Sequence, residues 1–356
     1  MPPYKQMERT MKVLIIGGTG FISGQIAEKA AAAGHEVVLF NRGLRNPHAP
    51  YDVINGDAQN LPAFKKDLLD AKPDVVVNCI AYSEKHAQDL VSVFEGTKTQ
   101  VIALSSADSY EAFQRLNRGE ESDQPVRENA ETAKEKHYLK FMGLADYDKN
   151  LMTQVLMDAH KQGKIEATVF RLPMVYGPGD HQYAHRHGNV IKHAIDKNPD
   201  LLMAATEQSQ MFTYGYVENV AAAIVHSFGL AQTKGEIYNL GEEDVRTQRR
   251  WAELYAEQAG HTFRFRILPP EMLGSVNDES PRNFIMDTSK FRTETGFRDP
   301  VDLKEAIKRT YDWAVSHPEA LKDVRVSYDS EKALADAYDS HMQSLLRRPE
   351  PPAPGQ

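Results

Sequence analysis

The residues with the clearest chemical implication form a glycine-rich turn near the start of the chain. Gly17, Gly18 and Gly20 follow the apolar run 13–16, and an alanine-rich helix pattern then covers 22–33. Glycines let the backbone approach a phosphate without a Cβ clash, and the start of a helix attracts negative charge. Strand, glycine turn and helix together predict a dinucleotide-binding loop, the alternative being a turn that binds nothing. The other predicted cofactor contacts in this loop are Thr19, Phe21 and Ile22.

The end of the second strand pattern indicates which dinucleotide binds. Asn41 stands 24 positions after Gly17, where an NAD-binding fold usually has a carboxylate for the ribose 2′-hydroxyl. Here an amide is followed by the guanidinium of Arg42, which can pair bidentately with a 2′-phosphate. We therefore predict NADP(H) as the preferred cofactor and NAD(H) as the alternative. A solvated Arg–Gly turn would explain the same residues without a ligand.

Two positions after later strands complete the predicted cofactor site. Asp57 follows the short strand 52–55, where its carboxylate can accept a hydrogen bond from the adenine amino group or simply stabilise a turn. Ala81 comes just after the apolar strand 74–79. We expect both residues to lie at the end of the sheet that carries the glycine turn.

Composition limits the classes of partner. The chain has 356 residues, a net charge of −8 and 41% hydrophobic residues, which fits a soluble globular protein. The acidic balance argues against nucleic acid or an anionic membrane surface as a partner. No apolar run is long enough to span a bilayer, and Cys79 is the single cysteine, so no internal disulfide can form. We expect a cytoplasmic protein with a small-molecule substrate, and we allow for a homodimer.

Strand and helix patterns alternate along most of the chain, which is typical of an α/β protein. The strand patterns are apolar and β-branched, so we expect a parallel sheet that is covered on both faces by helices. Predicted strands cover 13–16, 36–40, 52–55, 74–79, 101–104, 167–172 and 236–241. Predicted helices cover 22–33, 145–161, 248–259, 301–315 and 330–346.

Several motifs together resemble the extended short-chain dehydrogenases/reductases of the NAD-dependent epimerase/dehydratase type. The resemblance runs from about 11 to 318 and implies a Rossmann fold, a doubly wound parallel sheet, with a smaller C-terminal α/β substrate domain. None of the motifs is specific for one substrate. They read VLIIGGTGFI, Asp57, SSADSY (105–110), RLPMVYGPGD (171–180), YGYVENVAAAI (214–224), YNLG (238–241) and DTSKFRTETGF (287–297).

The resemblance also implies a division of the chain into domains. A Rossmann domain that binds NAD(P) is expected from 11–175, together with about 212–241. A substrate-binding domain is expected from about 176–211 and 242–320. The remaining segments are a flexible extension over 1–10 and a C-terminal helix with a disordered tail over 321–356.

The family's chemistry uses a serine, a tyrosine and a lysine. The tyrosine exchanges a proton with the substrate oxygen, the lysine lowers the tyrosine pKa and holds the nicotinamide ribose, and the serine orients the substrate. The family serine lies four residues before the tyrosine of its motif, which is Tyr110 here, and is therefore Ser106. Lys149, 22 residues before Arg171, matches the position of the lysine, with an exposed helix lysine as the alternative.

The family tyrosine should then lie at position 145, which is alanine. Tyr147 is only two residues before Lys149, so a helix through both would place them on nearly opposite faces. A lysine matched to Tyr147 would be residue 151, which is leucine. The Tyr-x-x-x-Lys pair is therefore missing. Tyr147 becomes the candidate proton donor if the helix is distorted there, and the alternative is that Tyr147 only packs. His137 and Tyr138 are other candidate acids.

Three histidines follow the GPGD turn, in a loop that borders the substrate in the family. His181, His185 and His187 can bind a polar substrate or supply the missing acid/base group, and the alternative is a solvated polar loop without a ligand. Three histidines so close together can also resemble a metal site. Only Asp180 accompanies them as a further ligand, so we predict no metal.

Two functions follow from these residues. The first is an NADP(H)-dependent oxidoreductase or epimerase/dehydratase acting on a hydroxylated or keto substrate, sugar-like or a natural-product intermediate. In it Ser106 orients the substrate, Lys149 holds the ribose, and Tyr147 or a loop histidine moves the proton. The second is a regulatory or scaffold protein that binds NAD(P) without redox turnover, because the catalytic tyrosine is missing.

Overall fold

The computed structural model describes residues 9–43, 50–134, 146–180, 186–273 and 282–346, and these divide into two compact units. The first unit comprises Met1–His181, Phe212–Val245 and Asn283–Thr310. The second comprises Gln182–Met211, Arg246–Arg282 and Tyr311–Gln356. Residues 283–310, expected in the substrate domain, therefore fold with the first unit.

The strands are short, and most of them alternate with helices along the chain. The strands are β1 (Lys12–Ile16), β2 (Glu36–Asn41), β3 (Asp52–Asn55), β4 (Val75–Asn78), β5 (Gln100–Ser106), β6 (Glu166–Leu172), β7 (Met174–Tyr176), β8 (Asp200–Ala204), β9 (Met211–Phe212), β10 (Tyr214–Tyr216), β11 (Glu236–Asn239), β12 (Arg246–Thr247) and β13 (Arg264–Leu268). The α-helices are α1 (Phe21–Ala32), α2 (Lys65–Asp70), α3 (Glu84–Phe94), α4 (Glu111–Arg118), α5 (Lys149–Lys161), α6 (Gly188–Ile195), α7 (Val217–His226), α8 (Gln248–Gln258), α9 (Ser289–Thr295), α10 (Leu303–Ser316) and α11 (Tyr328–Leu346).

The first unit is built on a parallel sheet of seven described strands in the order β11-β6-β5-β4-β1-β2-β3. The side chains of β1 alternate between two buried clusters, as the period of a strand requires. Val13 and Ile15 pack with α1 and α7 on one face, whereas Leu14 and Ile16 pack with α3 and α5 on the other. The predicted doubly wound α/β fold is thus confirmed. The chain order reverses at β1, between β2 and β4, which is where such sheets bind ligands.

The second unit has its own core, built on a different set of elements. β8 pairs with β13 in parallel, and α6 and α8 pack together beside them. Leu201, Met203, Ala252 and Phe263 are buried in this core. The helix predicted over 330–346 is present as α11 and belongs to this unit.

Polar contacts attach α11 to the rest of the second unit. His193 on α6 is buried, and its Nε2 lies 2.8 Å from Oε2 of Glu331. Tyr328 donates a hydrogen bond of 2.5 Å to Asp196, and Arg266 on β13 pairs with Asp339. Because Ala335 is the buried apolar residue of this helix, the polar pairs carry much of its attachment.

Replacing Glu331 with alanine should loosen α11, because the substitution leaves the buried His193 ring without its carboxylate partner. A buried polar group that loses its partner costs about 1–3 kcal/mol. Hydrogen exchange of the amides over 328–346 should accelerate in Glu331→Ala. The exposed Asp329→Ala on the same helix is the matched control and should exchange like the wild type. Equal exchange in the two variants would contradict this role.

Candidate active site

A cleft of about 680 Å³ lies in the first unit at the ends of β1, β2 and β4. Its volume falls within the range of about 300–1,000 Å³ that is typical of ligand sites. Six of the residues predicted to bind the cofactor line it, so residues distant in sequence converge here. The lining residues are Gly17, Thr19, Gly20, Phe40, Asn41, Arg42, Gly56, Asp57, Ala58, Gln59, Ile80 and Tyr82.

The glycine turn has no room for side chains. Gly17 has a φ of +85°, and a Cβ there would lie 2.9 Å from Ile80 Cγ2. A Cβ on Gly18 would lie 2.6 Å from Leu39 Cδ2. Both glycines are therefore required for the tight passage from β1 into α1, which keeps the backbone of the turn open to the cleft.

Ser23 closes the glycine turn from within α1. Its hydroxyl donates to the Gly17 carbonyl at 2.6 Å and accepts from the Gly20 N–H at 2.8 Å. The serine thus stabilises the turn at a position where the fingerprint usually has a third glycine. The first-turn N–H groups of Phe21 and Ile22 have no acceptor within a helix, and such groups suit a phosphate.

The predicted ribose contacts take different roles at the end of β2. The Asn41 side chain accepts a hydrogen bond of 2.7 Å from the Gly43 N–H and so shapes the turn. Arg42 is exposed and lines the cleft. Asp57 caps the following 3₁₀ turn by accepting from the Gln59 N–H at 3.0 Å, and it too is exposed at the cleft. The polar side chains that the structure exposes at this end of the cleft fit a dinucleotide.

Lys149 is buried, which shows that the exposed-lysine alternative is wrong. Its ammonium donates to the carbonyl oxygens of Ala81 at 2.7 Å and Leu104 at 2.6 Å. Nζ also lies 4.7 Å from the centre of the Tyr82 ring. Burial lowers the pKa of Lys149 to about 8, because desolvation disfavours the charged form. Ala81, predicted as a cofactor contact, is fully buried and serves here as an acceptor for Lys149.

Tyr147 does not lie on a helix face, which corrects the predicted helix over 145–161. The helix begins at Lys149, because the Asp148 carboxylate accepts from the N–H groups of Asn150 and Leu151 and caps it. Tyr147 therefore lies outside the helix, two residues before it begins. Its side chain is not held on the helix face opposite Lys149. Position 145 lies outside the described residues, as do His137 and Tyr138.

The side chain of Tyr147 reaches the end of β5. Its hydroxyl donates a hydrogen bond of 2.6 Å to Oδ2 of Asp108, and the Ser106 hydroxyl accepts from the Asp108 N–H at 3.4 Å. Burial and the Asp108 carboxylate raise the pKa of Tyr147, while a hydrogen bond from Ser106 opposes that shift. Sequence reasoning missed Asp108. Its place two residues after Ser106, inside the SSADSY motif, was the available signal.

His187 belongs to the core of the second unit. Its ring stacks on Trp251 at 4.6 Å between centres, and its Nδ1 lies 3.2 Å from the Tyr255 hydroxyl. Burial lowers the pKa of His187 to about 3, so the imidazole is neutral at physiological pH. This packing argues against the predicted substrate contact at His187. His181 and His185 lie outside the described residues.

The described ranges bear on two kinds of partner, a metal ion and a membrane. They contain no group of three His, Cys, Asp or Glu side chains arranged to hold a metal ion. None of their helices is long and apolar enough to cross a membrane.

This chain is similar in sequence to proteins that are named for reactions of UDP-sugars. A UDP-N-acetyl-alpha-D-glucosaminuronate decarboxylase from Bacillus cytotoxicus is 22% identical over 318 residues, covering 85% of this chain and 97% of the relative. A UDP-glucose 4-epimerase from Lactobacillus helveticus is 22% identical over 353 residues, covering 88% and 100%. A solved UDP-glucose-4-epimerase from Stenotrophomonas maltophila with bound NAD shares the fold, with a TM-score of 0.69 and 18% identity over 87% of this chain and 99% of that one.

The family itself follows from a broader match. The model of the NAD dependent epimerase/dehydratase family matches residues 13–241, which include the glycine turn, Ser106 and Lys149. Because this match spans more than half of the chain, the protein belongs to the NAD dependent epimerase/dehydratase family and is an enzyme of the extended short-chain dehydrogenase/reductase type.

Proposed function

We propose that the protein is an NADP(H)-preferring oxidoreductase or epimerase/dehydratase whose substrate is a sugar nucleotide. One observation carries the proposal: Tyr82 joins the cofactor cleft to the Ser106–Tyr147–Lys149 cluster. It lines the cleft, its ring centre lies 4.7 Å from Lys149 Nζ, and it lies 6.3 Å from the Tyr147 ring. A dinucleotide in the cleft would therefore extend toward groups that can orient a hydroxyl and move its proton.

The preference for NADP(H) rests on the charge at the end of β2. Asn41 is uncharged and its amide is used within the turn, while Arg42 is the one exposed cation among the described residues that line the cleft. A 2′-phosphate would gain charge-assisted hydrogen bonds from Arg42, whereas a 2′-hydroxyl would gain much less. When bound, the nicotinamide ring supplies hydride exchange with the substrate carbon.

Each member of the cluster has a distinct role in this proposal. Ser106, at the end of β5, donates a hydrogen bond to the substrate oxygen or accepts one from the substrate hydroxyl. Tyr147 exchanges a proton with that oxygen through its hydroxyl. The charged Lys149 ammonium has three N–H donors, and its partners among the described residues are the carbonyl oxygens of Ala81 and Leu104. The third donor would hold a ribose hydroxyl.

The substrate class rests on the relatives. Two of them are named for reactions of UDP-sugars, and each covers more than four fifths of this chain. The competing function, an NAD(P)-binding scaffold without turnover, rested on the missing tyrosine. The position of the Tyr147 hydroxyl beside Ser106 and Asp108 favours the enzyme instead. Self-association into a homodimer stays a prediction.

Arg42→Ala should weaken NADPH binding by about tenfold or more, because a hydrogen bond to a charged group contributes about 1.5–3 kcal/mol. NADH affinity should change little, and Arg127→Ala, an exposed arginine outside the cleft lining, should leave both affinities unchanged. Fluorescence titration of the reduced dinucleotides gives both constants. Equal losses for NADPH and NADH would sink the 2′-phosphate assignment.

Tyr147→Phe should reduce turnover by about 10²–10⁴-fold, the usual contribution of a positioned proton donor, while dinucleotide affinity is retained. UDP-glucose or UDP-N-acetylglucosaminuronate is added to protein loaded with oxidised dinucleotide. Absorbance at 340 nm reads net oxidation, and chromatography of the nucleotide sugars reads epimerisation or dehydration, which regenerate the dinucleotide. Tyr328→Phe, on α11 in the second unit, is the control with unchanged turnover. Tight dinucleotide binding without any turnover in the wild type would favour the scaffold function.

Lys149→Met should change how stability depends on pH. In the folded protein the Lys149 pKa is about 8, whereas an unfolded chain keeps the lysine proton up to about 10.4. Between these values the unfolded state binds more protons, so wild-type stability rises with pH relative to Lys149→Met. Urea unfolding from pH 7 to 10.5 measures the difference. A constant difference across that window would show that Lys149 titrates normally.

A further inference from the structure

The Asp108 carboxylate lies beside Ser106 and Tyr147, and the proposed function gives it no chemical role. Asp108 follows β5, and its Oδ2 accepts the 2.6 Å hydrogen bond from Tyr147. Its other oxygen, Oδ1, is buried, and within the described residues it has no hydrogen-bond partner. Tyr147 itself is only 5% exposed. Burying a carboxylate oxygen without a partner is costly, so this placement calls for a function.

We propose that Asp108 is the proton partner of Tyr147, receiving the tyrosine proton when a substrate hydroxyl is oxidised and returning it when a carbonyl is reduced. This inference rests on the proposed function, because it concerns the proton of the same substrate oxygen. Asp108 acts through Tyr147 and not on the substrate, so it is a positioning and proton-holding residue.

The proton step balances within the cluster. The substrate O–H bond breaks as a new O–H bond forms on Tyr147 Oη. At the same time the original Tyr147 O–H bond breaks and the proton joins Asp108 Oδ2, along the hydrogen bond already in place. The negative charge passes from the carboxylate to the substrate oxygen, where the proposed oxidation needs it. Reduction retraces the same path.

Lys149 is poorly placed to take the Tyr147 proton without help from another group. Two of its N–H groups are held by the carbonyl oxygens of Ala81 and Leu104. Burial raises the pKa of Tyr147 most, and the neighbouring titratable groups Asp108 and, more weakly, Tyr82 raise it further. Tyr147 therefore keeps its proton at neutral pH and cannot accept a second one unless a neighbour takes the first.

The titratable groups near Asp108 allow its carboxylate to hold the Tyr147 proton. Lys149 attracts the carboxylate electrostatically, and Cys79, the other titratable group near Lys149, stays a neutral thiol because burial raises its pKa to about 12. Tyr82 neighbours both Lys149 and Tyr147, with its ring centre 4.7 Å from Lys149 Nζ and 6.3 Å from the Tyr147 ring centre. The carboxylate is thus the one negative group that touches Tyr147 among the described residues.

The first test needs neither substrate nor cofactor. Carbon-13 labelling of tyrosine Cζ, with Tyr147→Phe to assign the resonance, follows the ionisation of Tyr147 in the unliganded full chain. In Asp108→Asn the Tyr147 pKa should fall by at least one unit, since a negative neighbour is removed. Asp146→Asn, an exposed carboxylate next to Tyr147 in sequence, is the control without a shift. An unchanged Tyr147 pKa in Asp108→Asn would overturn the proposal.

The second test measures the turnover rate and its pH dependence with UDP-glucose as the probe. Asp108→Asn should lose at least tenfold in rate, and its rate should rise steadily with pH as Tyr147 ionises. Asp108→Glu keeps a carboxylate and should recover part of the loss with a profile shaped like the wild type. An Asp108→Asn enzyme with the wild-type rate and pH profile would contradict the relay. Dinucleotide affinity, measured on the same variants, should stay unchanged.

The two tests separate this inference from the proposed function. If the wild type binds no dinucleotide, the proposed function fails, while the Tyr147 resonance still decides whether Asp108 governs that hydroxyl. If dinucleotide and UDP-glucose react but Asp108→Asn matches the wild type, the function stands and the relay is wrong. Thermal unfolding of each variant confirms that the comparison is made between folded proteins.

Discussion

The buried ammonium of Lys149 is the interaction on which the site depends. It ties the carbonyl oxygen of Ala81, just after β4, to that of Leu104 in β5, and it does so from the first residue of α5. A buried lysine carries a desolvation cost, and its two short hydrogen bonds offset part of that cost. Tyr147 lies two residues before this lysine, and its hydroxyl meets Asp108, which lies two residues after the end of β5.

Tyr82 connects the cleft at the end of β1 to the proposed cluster of Ser106, Tyr147 and Lys149. Tyr82 lines the cleft and contacts Lys149, and its N–H donates to Nδ1 of the buried His86 at 3.2 Å. The opposite ring nitrogen, Nε2, lies 2.9 Å from the side-chain oxygen of Gln59, which also lines the cleft. His86, on helix α3, therefore links Gln59 to Tyr82, two residues of the cleft lining that follow separate strands.

Much of the fold could be predicted from the sequence, because its determinants are local. The apolar β-branched runs and the steric demands of Gly17 are visible in short windows. The site was harder to predict because it depends on one helix boundary and one distant contact. Asp148 caps α5, so the helix begins at Lys149, two residues after Tyr147. Tyr147 then meets Asp108 across 39 positions of sequence. The burial of His187 likewise depends on Trp251, which no local pattern reveals.

The most direct test of the central claim is a crystal structure of the protein with NADP⁺ and a UDP-sugar. The account predicts the pyrophosphate at the first turn of α1 and the 2′-phosphate at Arg42. It also predicts one sugar hydroxyl within hydrogen-bond distance of both Ser106 Oγ and Tyr147 Oη, with Tyr147 still bonded to Asp108. A sugar bound away from Tyr147, with another side chain on its reacting oxygen, would contradict the account.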